Sequence, residues 1–329
     1  MSKALIGMDK SGSFRVYVTV TTDLVEQARQ IHATTPVATA GLGRVLTAAG
    51  LMAIMLKEED NKLTVNFKGD GPARQILATA YGDGRVKGYI ADPNVDLPPT
   101  PDGKFDVGGS LGIGELTVIR DLGLKEPYTG TIALVSGEIA EDLAAYFFIS
   151  EQQNTSVALG VKIAKDLSVE AAGGMIIQMM PGAQDGAVDA LEKLIEEMDP
   201  ITTVIERAAG TGETGAESGT AKAGAPLSEP GEAKAGAPLS ETGLVRAVTE
   251  TIFAGLPEEY AVEILEERDI RWECDCSRDR IEQALMTIGC KDMEEIIEED
   301  GEAELQCHFC RKKYHFTGEE LEGLLEQMK

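Results

Sequence analysis

Along residues 13–21 apolar and polar side chains alternate, with Phe14, Val16, Val18 and Val20 on one side and Arg15, Tyr17 and Thr19 on the other. That period of two predicts a half-buried strand. The period then lengthens. Leu24, Ala28 and Ile31 share one stripe over residues 23–32, which predicts a helix ending at His32, read as a structural or surface residue. Thr35 and Pro36 supply a cap and a first-turn proline for a second helix. This stretch, 36–56, has the length and apolarity of a membrane span. Arg44 lies in its middle, however, and Ala, Gly and Thr dominate it. It is therefore expected to be a buried helix packed through small residues, with no membrane partner.

Shorter strand patterns follow at 62–68, 75–81 and 85–91, the last two flanking the hairpin signal Gly82-Asp83-Gly84. More strands are expected at 116–120 and 130–135, a helix at 138–150, and a closing strand pair at 156–165 and 168–179. Mixed strands and helices with hairpins make residues 1–182 an α+β domain. The glycine-rich run from Gly108 to Gly114 matches neither phosphate-binding pattern and is read as a loop. A GxSxG nucleophile motif is also missing, so no catalytic residues are assigned and the chain is not expected to be an enzyme.

Residues 183–257 read as a helical linker. Val188, Leu191, Leu194 and Ile195 recur at helical spacing, Asp199-Pro200 introduces a second helix at 201–209, and a third follows at 244–253. Within this linker, 208–243 contains no aromatic residue, Val, Ile or Met, and its nonapeptide Ala-Lys-Ala-Gly-Ala-Pro-Leu-Ser-Glu occurs at both 221–229 and 233–241. So few apolar side chains cannot offset the entropy of ordering, and the segment is expected to be disordered. As a flexible coil it would span roughly 30–36 Å. It is either an adjustable tether or a neutral repeat expansion.

The 329-residue length suits two domains, and a hydrophobic fraction of 43% provides for a core. A net charge of −26 repels nucleic acid and anionic lipid, so neither is an expected partner. The start of the chain lacks the apolar run and small-residue cleavage site of a secretory leader, and a reducing cytoplasm is the expected location.

All five cysteines lie between positions 274 and 310. They belong to a unit at 258–329 that opens on a helical pattern at 258–267 and holds 22 acidic against 9 basic residues. Cys274 and Cys276 form a CxC pair, and Cys307 and Cys310 a CxxC pair. Four thiolates match the tetrahedral preference of Zn²⁺, one ion per chain. Between the pairs, Ile281, Leu285 and Ile288 mark one helix, and Met293, Ile296 and Ile297 another. The core they offer is small, so the metal is expected to supply much of the stability. Cys290 has no cysteine neighbour and is read as a spare or buried thiol, while His308 and His315 are alternative ligands in a Cys₃His site. Three readings of the spacing stay open, a structural zinc ribbon, a regulated zinc site and no metal at all, and a thiol–disulfide oxidoreductase using Cys307 and Cys310 is a separate alternative. The CxxC, distant from any βαβ start, fits the last poorly. Metal-bound sulfur is thiolate, the species that oxidants attack, and each short pair can close on its own neighbour. The four residues that hold the unit together can therefore also undo it.

The chain resembles the heat-shock protein 33 family of redox-regulated chaperones over nearly its whole length. The CxC and CxxC pairs, thirty residues apart, carry the resemblance, with Ile149-Ser150-Glu151-Gln152, Ala171-Ala172-Gly173-Gly174, Gln178-Met179-Met180-Pro181-Gly182 and Glu298-Glu299-Asp300-Gly301. It implies a holdase that is quiet when reduced and zinc-bound. Oxidation by peroxide or hypochlorite, together with unfolding stress, would form the disulfides Cys274–Cys276 and Cys307–Cys310 and release zinc. The zinc domain and linker would then unfold, expose apolar surface and bind unfolding client proteins without ATP. The resemblance further implies a monomer when reduced and a homodimer when oxidised. It assigns no role to Cys290, and the repeat insert departs from the family pattern.

Overall fold

The structure, a computed structural model, describes residues 2–210 and 239–328. Strands β1 (Ser2–Asp9) and β2 (Phe14–Val20) are followed by helices α1 (Thr22–His32) and α2 (Pro36–Ala53). Then come β3 (Lys62–Gly69), β4 (Gln75–Tyr81), β5 (Arg85–Ile90), the short helix α3 (Val107–Leu111), β6 (Gly114–Asp121) and β7 (Tyr128–Ala133). Helix α4 (Ala140–Glu151) precedes the hairpin of β8 (Thr155–Ile163) and β9 (Val169–Met179). Three helices, α5 (Asp185–Glu197), α6 (Ile201–Ala209) and α7 (Glu241–Phe253), lead to a 3-10 turn at Glu258–Tyr260 and to strand β10 (Val262–Trp272). The C-terminal module comprises α8 (Arg278–Met286), α9 (Cys290–Glu299), the hairpin β11 (Glu302–Gln306) and β12 (Lys313–Thr317), and α10 (Gly318–Met328).

The architecture is α+β, as expected. Among the described residues ten strands form one sheet in the order β7-β6-β3-β4-β5-β10-β1-β2-β9-β8. Neighbours run antiparallel except at the seam, where β10 and β5 pair in parallel through Arg271–Arg85 and Trp272–Val86. Helix α2 is buried along nearly its whole length and joins one core with both halves of the sheet. Its apolar window is 89% buried inside the fold, the situation of a core helix rather than a span. A second core lies on the other face of β1, β2 and β9. There Ile201, Val204 and Ile205 of α6 and Val245, Val248 and Ile252 of α7 pack against Leu5, Val16, Val18 and Met175.

This second layer corrects the reading of β2 as half-buried. Tyr17 and Thr19, placed on its wet side by alternation, are 3% and 0% exposed, because α2 covers one face and the linker helices the other. The glycine-rich run is not wholly loop either: Asp106 caps the single turn of α3, accepting from Gly109 N. The largest correction concerns 258–267. Its Glu-rich stretch has helical propensity, yet after the 3-10 turn it extends as β10 and pairs antiparallel with β1 from Ser2–Ile270 to Asp9–Val262. An exposed β1 edge would leave a row of backbone groups unpaired, and tertiary pairing overrides local preference. The expected disorder of 208–243 falls mostly outside the described residues. At its borders Ala208 and Ala209 belong to α6, and Ser240 caps α7 by accepting from Gly243 N.

Candidate metal centre

Strand β10 ends at Trp272, and the backbone N–H of Glu273 still donates to Val86 O at 3.0 Å. Cys274 and Cys276 thus emerge directly from the seam of the sheet. Ser277 then caps α8, accepting from Arg280 N at 3.3 Å. The second pair occupies the tight turn between β11 and β12, closed by Cys307 N to Lys312 O and Arg311 N to Cys307 O, both 2.9 Å. Arg311 takes a left-handed conformation, φ 60°, to complete this knuckle.

The fold brings all four sulfurs within 4.8 Å of one another, and all five thiols are free. Cys274 and Cys307 Sγ lie 3.7 Å apart, and Cys276 and Cys310 Sγ 3.4 Å apart. A tetrahedral ion with metal–sulfur bonds of ~2.3 Å separates its ligands by ~3.8 Å. The donor set and its spacing therefore fit a thiophilic ion such as Zn²⁺ or Fe. Cys290 lies outside the group, its Sγ 3.8 Å from Met328 O. Neither histidine joins it: His308 stacks near Tyr89, ring centroids 5.8 Å apart, and His315 faces Glu302 at 3.0 Å. The CxxC sits in a β-hairpin turn rather than at the start of a helix, which takes away the helix N-terminus that activates oxidoreductase thiols.

Burial pushes the thiols of Cys274 and Cys310 up. Burial also acts on Cys276, but hydrogen bonds, first that from Tyr314, outweigh it and hold this thiol below its ordinary value. Tyr314 Oη donates to Cys276 Sγ at 3.1 Å. Around the sulfurs the module buries Leu285, Met293, Tyr314, Phe316, Leu321, Leu324 and Leu325.

The module docks on the hairpin β4–β5. The Asp275 carboxylate accepts from Tyr81 Oη at 2.9 Å and pairs with Lys87 and Arg280. Burial opposes its ionisation, but these donors, Lys87 foremost, keep the carboxyl well below the usual carboxylate range. Tyr89 meets Phe309 edge-on at 5.4 Å, and Lys87 Nζ lies 4.7 Å over the Phe309 ring. His32 is buried, with Nε2 3.0 Å from Gly88 O, and Arg311 Nε donates to its Nδ1 at 3.5 Å. The sequence pointed to the thiols but not to Asp275, Tyr314, Lys87 or Tyr89. Only the position of Asp275 between two cysteines was a usable signal.

A sheet domain carrying a compact four-thiol module that could hold a metal ion defines a class of α+β proteins, and comparison with known proteins narrows it. The family model described as Hsp33 protein matches residues 3–218 and 225–317. A 33 kDa chaperonin of Clostridium perfringens is 43% identical, the alignment covering 99% of this chain and 92% of that protein. A 33 kDa chaperonin of Alkaliphilus metalliredigens is 42% identical, with 97% and 96% covered. The crystal structure of the Thermotoga maritima 33 kDa chaperonin, titled a heat shock protein 33 homolog, superposes with a TM-score of 0.80 at 33% identity over 99% of this chain and 98% of that one. This chain belongs to the Hsp33 family of chaperones.

Proposed function

We propose that the protein is a redox-regulated, ATP-independent holdase, quiet while its thiols are reduced and hold one Zn²⁺. The observation that carries this reading is the four-sulfur cluster inside a module with so small a core. When bound, Zn²⁺ supplies a four-way cross-link between the CxC and CxxC segments. Cys274, Cys276, Cys307 and Cys310 are the ligands and also the sensors. Cys274 with Cys276, and Cys307 with Cys310, each give two electrons to one hydrogen peroxide. An S–S bond forms in each pair, the O–O bond breaks, and two hydroxide ions leave. The module then has no ligand left and loses its main support.

Function divides among a sheet unit at 1–182, a linker at 183–257 and the switch unit at 258–329, whose β10 stays in the sheet. The family resemblance further implies that the linker helices α6 and α7 unfold in the active form, and the face they cover, lined by Leu5, Val16, Val18 and Met175, then becomes available to apolar segments of unfolding proteins. The oxidised form is a homodimer, the high negative charge keeps it soluble, and free thiols of this kind suit the cytoplasm. The chain performs no turnover of its own.

The test is suppression of aggregation of a heat-unfolded client by reduced and by peroxide-treated protein, with zinc and thiols counted in both. We expect activity only after oxidation, with about one zinc released and four thiols lost together. Equal activity in both states would remove the switch.

A further inference from the structure

We propose that Asp275 is a latch: wedged between two of the thiols, it clamps the cysteine module onto the β4–β5 hairpin and keeps the two units closed. The proposal rests on the chaperone reading only in taking the closed form as the quiet one.

Cys274 and Cys276 both turn their sulfurs into the cluster. The side chain between them leaves toward the sheet, where its two oxygens meet Tyr81 Oη and Lys87 Nζ, while Arg280 of α8 closes the near side. Lys87 is only 7% exposed. Its ammonium is tolerable there because a carboxylate faces it, and a buried charge without a partner is strongly unfavourable. That partner comes from the module, not from the sheet that carries the lysine. Lys87 also lies over Phe309, between the other two thiols, so one side chain of the sheet senses both cysteine pairs.

The arrangement gives the CxC spacing a purpose. A residue flanked on both sides by thiols of one cluster cannot move independently of them. Any rearrangement of the 274–276 loop displaces the carboxylate, leaves Lys87 unpaired in the closed form, and favours opening, in which Lys87 regains water. The closed state is thereby coupled to the state of the sulfurs through a single carboxylate.

The experiment uses the full chain, reduced and zinc-loaded, without client or oxidant. The double variant Tyr81→Phe/Lys87→Met alters only the sheet side, and neither residue touches a sulfur. Zinc content, hydrogen exchange at 85–90 and 307–313, and the emission of Trp272, the only tryptophan, are measured. We expect about one zinc per chain retained, exchange at least tenfold faster in both segments, and a red-shifted emission as Arg311 withdraws from His32, the ring 6.1 Å from Trp272, and water reaches that face. Asp275→Asn should open the module in the same way. Wild-type exchange and emission in the double variant would overturn the latch. Opening accompanied by zinc loss in the double variant would also overturn it, because the contacts would then support the metal rather than the docking. An oxidised wild type that fails to protect a client would instead sink the chaperone reading and leave the exchange result intact.

Discussion

At Cys276 burial and hydrogen bonding oppose each other, and the foremost donor is a phenol. Tyr314 Oη is the first of the groups that favour this sulfur as a thiolate. Partners that orient a metal ligand are worth about 10–100-fold in affinity. Tyr314→Phe is therefore expected to weaken zinc binding about tenfold, read by competition with a chromogenic chelator; an unchanged affinity would refute the role. A second residue-scale balance lies far from the thiols. Glu26 accepts from Arg29 at 2.6 and 2.8 Å, from Gln30 at 2.7 Å and from Val169 N at 3.0 Å. The Arg29 hydrogen bonds, aided by Val169 N and Gln30, lower its carboxyl from 4.5 to about 2 against burial. Because the folded value is depressed, the stabilisation is full above pH 4.5 and is lost as pH falls toward about 2. Glu26→Gln should flatten the fall of Tm in that window, and an unaltered slope would show that Glu26 does not contribute.

At the scale of elements, α2 illustrates how small residues set packing. A Cβ on Gly43 would lie 2.6 Å from Val25 Cγ1 and 2.8 Å from Val161 Cγ2. Alanine gains up to about 1 kcal/mol of helix propensity over glycine. Overpacking against two stiff valines costs about 1–3 kcal/mol, so the clash is expected to win. Gly43→Ala should lower the urea midpoint of the sheet unit; a raised midpoint would mean that α1 and β8 yield easily. Most of the elements of the sheet domain were legible because their faces differ in polarity. Strand β10 was not, because its Glu-rich sequence carries no clean alternation and its conformation is dictated by β1. Strand β1 also escaped detection. It is apolar on both faces, since Leu5 joins one core and Ala4 and Ile6 the other, and such a run has no period to read.

For the whole molecule the decisive contrast is between cores. Among the described residues the module has eight buried core side chains, against forty-two in the core around α2. On the proposed zinc reading, a core that small depends on its metal cross-link, whereas the sheet does not. Removing metal from the reduced protein with a chelator should therefore abolish hydrogen-exchange protection in 274–328 while the strands of the sheet keep theirs. Equal loss in both regions would show that the two units unfold as one.

The sequence alone determined the α+β class, most of the sheet-domain elements and the four thiols, because hydrophobic period and cysteine spacing are local properties of the chain. It also carried the family resemblance through its motifs. Only the tertiary structure decided that β10 seams the two half-sheets, that linker helices cover a second apolar face, and that Asp275, Lys87 and Tyr314 gather around the cysteines. Those facts depend on which surfaces meet. Lys87 and Asp275 are 188 positions apart, and no pattern along the chain records that one neutralises the other.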